Sequence, residues 1–444
     1  MDSENIKSIV STQNYWLKEG GLWSDPDLLR IKKSHLKYYP QPILPKECKK
    51  RAVITLRGPR RVGKTATLKL LIANLIEKEH WTPSSILWLT AETIRTMTKL
   101  EEIVTAILKD FTPRLFCIDE ITSVTGWQRV IKKLSDTGFL DSCCLLLTGS
   151  SSHDLKKGAE RMAGRRGNIE NPDRVLLPMN FAQFCEQVRL ITPDQNTADL
   201  QKSYLTCGGF PFRVEQLVES IISKKEFDPF GQMHVFDDVM FYEINRRRLD
   251  RNIALEVIGR ISAIGLNASS YEGFSRPLTI TKDTARKYLD ALGDAFLLAT
   301  ISSYDTARNR VAPKKDRKFA WIDPALAFLP VKLGQGELIN EDSRAEATIG
   351  VELLRRFEIR LWEGLSAPRN VFTWKSSSGK EVDFLVVNRA RKLMLPVEVK
   401  YQNSINEWDF QVIDRAFGKG ILVTKNISRK RAKTVAQSFA DFFN

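Results

Sequence analysis

The octapeptide "GPRRVGKT" at residues 58–65 constrains this chain more than any other stretch. It follows the apolar run "AVITLR" and precedes "TATLKLLIANLIEKEH", in which Leu68, Leu71, Ile72, Leu75 and Ile76 recur at helical spacing. A strand, a glycine-rich turn and an amphipathic helix in that order form a phosphate-binding loop. Gly58 and Gly63 let the backbone N–H groups turn toward an anion at the positive end of the helix. On this reading Gly58, Pro59, Arg60, Arg61, Val62, Gly63, Lys64, Thr65 and Ala66 cradle the phosphates of ATP. Lys64 reaches the β- and γ-phosphates, and the Thr65 hydroxyl coordinates Mg²⁺.

The stretches that follow alternate short apolar runs with helical patterns. "SSILWLTA", "LFCIDE", "CCLLLTGS" and "RVLLPMN" read as further strands, so a mostly parallel sheet covered on both faces is expected. Asp119 closes one buried strand and would hold the Mg²⁺ shell, with Glu120 beside it as the catalytic residue that orients or deprotonates the attacking water. Another strand ends in "LLLTGSS", which puts Thr148 or Ser150 where a polar group can sense the γ-phosphate. "ERMAGRRGN" offers Arg161, Arg165 and Arg166, either as a charge contact to ATP, with Arg165 favoured, or as a solvated or DNA-facing loop.

With 444 residues, the chain is expected to divide into several domains. The divisions are an N-terminal helical approach segment at 1–50, a P-loop ATPase core at 51–180 and a helical region at 181–252. A winged-helix domain at 253–335 and a C-terminal α/β domain at 336–444 follow. The formal net charge of +15 suits a polyanionic partner, DNA first among them, although a solvated basic surface has the same composition. Six cysteines show no paired metal spacing and the four histidines are scattered, so a zinc site is not expected. No apolar run has the length of a membrane span, and the N-terminus lacks the layout of a signal peptide, so a cytoplasmic protein without a membrane partner is expected.

A second chemistry lies near the C-terminus, in "EVDFLVVNRARKLMLPVEVKY" at 381–401. Residues two apart on a strand share a face, so Glu398 and Lys400 point the same way. A hairpin through "NRARK" brings Asp383 to the same end. Carboxylates in that arrangement can hold Mg²⁺ or Mn²⁺ against a scissile phosphate, and a lysine beside them can orient water. An acid–lysine pair on a strand is also a common surface ion pair of little energetic consequence.

"GPRRVGKT", "IDEI" before Trp127, "LTGSSSHDL", "GRR", "LPMNFAQFCE", "GGFP", "IDPAL" and "EVDF…PVEVK" occur in that order. This arrangement resembles the prokaryotic AAA-type ATPases that carry a C-terminal restriction-endonuclease-like domain, and the resemblance covers nearly all of the chain after residue 50. It implies an α/β multidomain fold: a P-loop ATPase with a parallel sheet, a helical and winged-helix middle, and a PD-(D/E)xK nuclease-like end. Asp383, Glu398 and Lys400 then become catalytic, with Asp383 and Glu398 as metal ligands. Such folds add an acid from the preceding helix, and here Glu346 is favoured over Glu352. Val382 stands where the motif usually has proline. Archaeal-type Holliday junction resolvases have a similar layout, and "KSSSGK" would then let Ser377 or Ser378 touch a phosphate.

"LTITKDTARKYLDALGDAFLLATI" fits a helix-turn-helix whose second helix begins near Thr281, with "RNRVAPKKDRKFAWID" as a wing. Lys282, Arg286 and Lys287 on that helix, and Arg308, Arg310, Lys314, Lys315, Arg317 and Lys318 on the wing, would contact DNA phosphates, unless the winged helix is a packing module between the ATPase and nuclease-like domains. "NRRRLDR" at 245–251 adds charge beside them. The expected function is an ATP-hydrolysing, DNA-binding protein with a Mg²⁺-dependent endonuclease domain gated by nucleotide state. A role in defence against foreign DNA, or in its processing, suits it. The alternatives are a DNA-binding switch whose nuclease fold grips without cutting, and an ATPase acting on protein partners. A homo-oligomer is compatible with an arginine supplied in trans.

Overall fold

Strand β1 (Val53–Arg57) is buried along its whole length and lies inside a five-stranded parallel sheet of order β2-β3-β4-β1-β5. The others are β2 (Ile86–Thr90), β3 (Leu115–Asp119), β4 (Cys144–Thr148) and β5 (Asp173–Val175). All pairs are parallel, so the carboxyl ends of β1, β3 and β4 open on one edge. The protein is described from a computed structural model, covering residues 3–149, 155, 158, 162, 164–312, 315–358, 368–376, 378–388, 393–431 and 433–444. Ser150, Arg161, Lys314 and Ser377, each given a role from sequence, lie outside the described residues. The described residues fall into two compact bodies, one up to Leu177 and one from Pro178 on.

In the first body, the opening fifty residues cover a sheet edge. Strand β2 is an edge strand, whose outer N–H and C=O groups need partners. Asn14 supplies two, accepting from Trp88 N (2.6 Å) and donating to Trp88 O (3.0 Å). Trp16 Nε1 donates to Ile86 O (2.9 Å), and Gln13 accepts from Thr90 N (2.7 Å). The same segment reaches the helix Lys64–Glu77 through a buried ion pair, Lys69 Nζ to Asp25 Oδ2 at 2.6 Å. Leu68, Leu71, Ile72 and Leu75 of that helix are buried. Of "RVLLPMN" only Arg174 and Val175 are strand, within β5, since Leu176 N still bonds Arg57 O (2.8 Å) but Pro178 has no N–H to continue the ladder. All six cysteines are buried free thiols.

The second body begins with helices Phe181–Arg189, Thr197–Cys207, Pro211–Ile222, His234–Arg246 and Arg251–Ile264. "GGFP" and "IDPAL", which carry no evident chemistry in the sequence, form one internal contact here. Asp323 accepts from Gly209 N (2.7 Å) and from Ala325 N (3.0 Å). A Cβ on Gly208 would lie 1.8 Å from Asp323 Oδ1, so glycine is required at that position. Burial pushes the Asp323 carboxyl up to about 6.

Thr281 N-caps the helix Lys282–Asp294, accepting from Thr284 N (3.1 Å). After it β6 (Leu298–Ser302) pairs antiparallel with β9 (Arg317–Trp321), and β7 (Tyr304–Asp305) with β8 (Arg310–Val311). The helix Glu341–Phe357 leads to a second five-stranded sheet of order β10-β11-β12-β13-β14. Its strands are β10 (Val371–Lys375), β11 (Glu381–Asn388), β12 (Leu393–Lys400), β13 (Gly420–Thr424) and β14 (Thr434–Ser438). β10, β11 and β12 pair antiparallel, and β12, β13 and β14 parallel. "TVAQS" forms β14, where β-branched Thr434 and Val435 suit the sheet edge, and a short helix, Phe439–Phe443, follows it. Among the described residues no helix is long and apolar enough to cross a membrane.

Candidate functional site

The phosphate loop leaves β1 and enters the helix Lys64–Glu77 through Gly63, whose φ of +95° suits glycine. Lys64 is buried, and its ammonium donates to the carbonyls of Gly58 (3.0 Å) and Pro59 (2.9 Å), folding the side chain back over the loop. Burial lowers its pKa, with Glu120 and Asp119 opposing. The Thr65 hydroxyl donates to Asp119 Oδ2 (2.8 Å), and Thr148 donates to Asp119 Oδ1. Thr148 in turn accepts from Glu120 N (3.2 Å). Burial raises the Asp119 pKa against both hydroxyl contacts. Glu120 has a left-handed backbone (φ +52°), so the chain turns sharply after Asp119 and the two acids do not continue the strand.

Thr65 and Asp119 are adjacent hard-oxygen donors at the end of the phosphate loop, and that donor set fits Mg²⁺. Thr148 is fully buried and its hydroxyl is given to Asp119, so its role is to orient that carboxylate rather than to sense a phosphate. Two arginine expectations change. Arg166 is buried, and its guanidinium binds both oxygens of Asp173 (2.8 and 2.7 Å) and Val53 O (3.0 Å), which fastens β5 to β1. Arg165 donates to Asp136 at the end of the helix Trp127–Asp136, so the nucleotide contact expected of it is replaced by an ion pair. Arg61 is exposed and Val62 buried within the loop, and Arg60 and Ala66 are half-buried.

In the second body the pairing of Phe384 with Val397 sets Asp383 beside Glu398. Asp383 N donates to Glu398 Oε2 (3.3 Å), and Val399 N donates to Asp383 Oδ2 (2.9 Å). Lys400 bridges to Glu398 Oε1 at 3.1 Å. The helix Glu341–Phe357 comes close to β11 at Gly350, where a Cβ would meet the Phe384 ring at 2.7 Å. That approach brings Glu346 into the cluster. Glu352 is elsewhere, paired with Arg355 (3.2 Å) and Arg356 (2.8 Å), so Glu346 is the helix acid of this cluster.

The cluster has one member the sequence placed elsewhere. Lys318, expected on a DNA-binding wing, is a buried residue of β9 whose ammonium lies 2.5 Å from Glu346 Oε1 and 2.6 Å from Asp383 Oδ1. Burial opposes its charge, yet Asp383 and Glu346 outweigh that and raise its pKa. Burial also opposes the charge of Asp383, which Lys318 and the Val399 N–H overcome, so this pKa falls. Burial, then the charge of Asp383, pushes Glu346 up to about 8 and Glu398 to about 7. Among the described residues no group of three or more His, Cys, Asp or Glu is arranged to hold a metal ion. As arranged, Glu346 and Asp383 do not fit Mg²⁺ or Mn²⁺, because both already bind the Lys318 ammonium.

Arg317 is also withdrawn from the expected DNA surface: it is buried, its guanidinium 3.7 Å from the Tyr271 ring centroid. Arg246 and Arg247 of "NRRRLDR" are held by Glu243, at 2.8 and 2.6 Å. Lys282, Arg286, Lys287, Arg308, Arg310 and Lys315 are exposed. Ser378 is exposed on the turn from β10 to β11, 3.0 Å from Ser376 Oγ. Trp408, at the start of the helix Glu407–Ala416, is 73% exposed and was given no role from sequence.

Residues 50–185 match a family model described as an AAA domain, and residues 346–438 match one described as a domain of unknown function, DUF4143. An uncharacterized protein of Haemophilus influenzae is 24% identical over 388 residues, spanning 83% of this chain and 88% of that one. One from Methanocaldococcus jannaschii is 24% identical over 380 residues, spanning 82% and 77%. Similar solved structures include the Walker-type ATPase of Pyrococcus abyssi, at TM-score 0.41 and 13% identity over 63% of this chain and 91% of that one. The ORC2 protein of Aeropyrum pernix gives 0.39 at 10% identity, over 72% and 97%. Both scores lie below the level at which a shared fold follows. The match over residues 50–185, together with the strand–loop–helix geometry, makes this part of the chain an AAA-type P-loop ATPase domain.

Proposed function

We propose that the chain is an ATP-hydrolysing, DNA-binding switch whose second body carries a PD-(D/E)xK-like fold. The observation that carries the reading is the linkage of Thr65, Asp119 and Thr148 beside a lysine whose ammonium donates to two neutral carbonyls. Lys64 can exchange those two carbonyl oxygens for the oxygens of the β- and γ-phosphates without leaving its loop. Thr65 and Asp119 would hold Mg²⁺, which supplies charge neutralisation at the phosphates when bound. Glu120 is the residue that orients and deprotonates the attacking water. The DNA-binding half rests on the net charge of +15 and on the exposed Lys282, Arg286, Lys287, Arg308, Arg310 and Lys315. Such contacts give affinity that falls steeply with salt.

A second reading, a metal-dependent endonuclease, is favoured by the gathering of Glu346, Asp383, Glu398 and Lys400 at one sheet end. No cleavage step is assigned to these residues as arranged, since Lys318 holds the position of a cation. The deciding experiment incubates labelled linear, single-stranded and branched DNA with Mg²⁺ or Mn²⁺, with and without ATP. The switch reading expects salt-sensitive binding, ATP turnover lost in Lys64→Ala, and no cutting by the wild type. Metal-dependent cutting by the wild type that is lost in Glu398→Ala establishes the second reading. Absence of salt-sensitive DNA binding removes both.

A further inference from the structure

Every carboxylate oxygen of Asp383 and Glu398 already has a protein donor. Asp383 Oδ1 faces Lys318 Nζ (2.6 Å) and Oδ2 accepts from Val399 N (2.9 Å). Glu398 Oε1 faces Lys400 (3.1 Å) and Oε2 accepts from Asp383 N (3.3 Å). Glu346 Oε1 faces Lys318 as well. A divalent cation needs direct contact with such oxygens at roughly 2.0–2.6 Å. It would have to take them from an ammonium in the same place.

Lys318 is also built in. It lies in β9 opposite Ile301 of β6, its side chain is 5% exposed, and its ammonium is 5.3 Å from the Phe384 ring centroid. The strand is clamped one residue earlier, where Arg317 exchanges backbone hydrogen bonds with Ser269 (2.9 and 3.0 Å). A surface lysine could swing away from its acids, whereas this one would have to leave a packed interior.

We propose that Lys318 is the resident cation of the carboxylate cluster: its ammonium holds the position between Glu346 and Asp383 that a divalent ion requires, and it excludes that ion while it stays there. The proposal deepens the account of this cluster and rests on its reading as a PD-(D/E)xK-like site. Metal binding and DNA cleavage are measured separately, so either can fail alone. The residue type is decisive, because a neutral side chain of similar length would fill the space without competing for the oxygens.

The test is Mn²⁺ binding to the full chain without nucleotide, followed by the electron paramagnetic resonance of free Mn²⁺. Wild type and Glu398→Gln are expected to titrate alike. Lys318→Gln is expected to gain one saturable site at least about tenfold tighter, since one cationic competitor is gone. Adding Asp383→Asn to Lys318→Gln removes that site. In a parallel melt, Mn²⁺ raises the transition temperature of Lys318→Gln and leaves the wild type unmoved. A nucleotide-independent site in the wild type that Glu398→Gln abolishes overturns the proposal, and so does a folded Lys318→Gln that gains no site. If Lys318→Gln fails to fold even with Mn²⁺, the wild-type and Glu398→Gln titrations decide: matching curves support the proposal, and a site lost in Glu398→Gln refutes it.

Discussion

Lys64 and Lys318 are both buried ammonium groups beside carboxylates, yet they face opposite partners. Lys64 donates to two backbone carbonyls and leaves Asp119 to the hydroxyls of Thr65 and Thr148. Lys318 donates directly to Glu346 and Asp383. A carbonyl is neutral and readily exchanged for a phosphate oxygen, whereas a buried carboxylate holds an ammonium by charge as well as by hydrogen bond. On the reading proposed above, the first site is open to an anion and its metal, whereas the second already has its cation in place, so one residue type would serve binding in one place and neutralisation in the other.

The sharpest way to break this contrast is to remove each lysine. Lys64→Ala should lower ATP turnover by about two orders of magnitude or more, in phosphate-release kinetics, because preorganised charge at the γ-phosphate is lost. Its urea midpoint should change far less, since both of its hydrogen bonds go to neutral carbonyls and no carboxylate is hydrogen-bonded to it. Lys318→Met should do the reverse, costing about 3–5 kcal/mol of stability in urea denaturation, since two buried carboxylates lose their counter-ion. Lys69→Met, which breaks the buried pair with Asp25, should resemble Lys318→Met in size. Equal urea midpoints for Lys64→Ala and Lys318→Met would erase the distinction.

A smaller effect separates a structural acid from the acids of the cluster. Asp323 is pushed up to about 6 from 3.8 by burial. Between those values the folded state holds a proton that the unfolded chain has lost, so this group's stabilising contribution is present at low pH and declines as pH rises to about 6. The stability difference between wild type and Asp323→Asn should therefore shrink from pH 4 to pH 6.5. A difference constant across that window would show that Asp323 does not titrate there. The smallest effect is expected from Trp408→Ala, which should weaken single-stranded DNA binding by about 1–3 kcal/mol in fluorescence titrations through lost base stacking. Unchanged affinity would leave that exposed ring without a nucleic-acid role.

Much of the first body was legible because its signal is local. The phosphate loop spans eight consecutive residues, and the acid pair closes an apolar run, so each can be recognised without knowing what it touches. Asp383, Glu398 and Lys400 were legible for a similar reason, through the two-residue period of a strand. Lys318 was not. Its acids lie 28 and 65 positions away, and within "KKDRKF" it looks like any other basic residue of a charged loop. Asn14 and Trp16 were hidden in the same way, since they cap an edge strand some 70 and more positions later. Arg166, seven residues from Asp173, shows that even a near partner is missed when the motif invites a ligand instead.

The most direct measurement counts Mn²⁺ bound per wild-type chain, with and without a slowly hydrolysed ATP analogue. One ion should bind only when the nucleotide is present, should be lost in Lys64→Ala, and should be indifferent to Asp383→Asn. An ion bound without nucleotide and released by Asp383→Asn would contradict the contrast between the open site and the closed one.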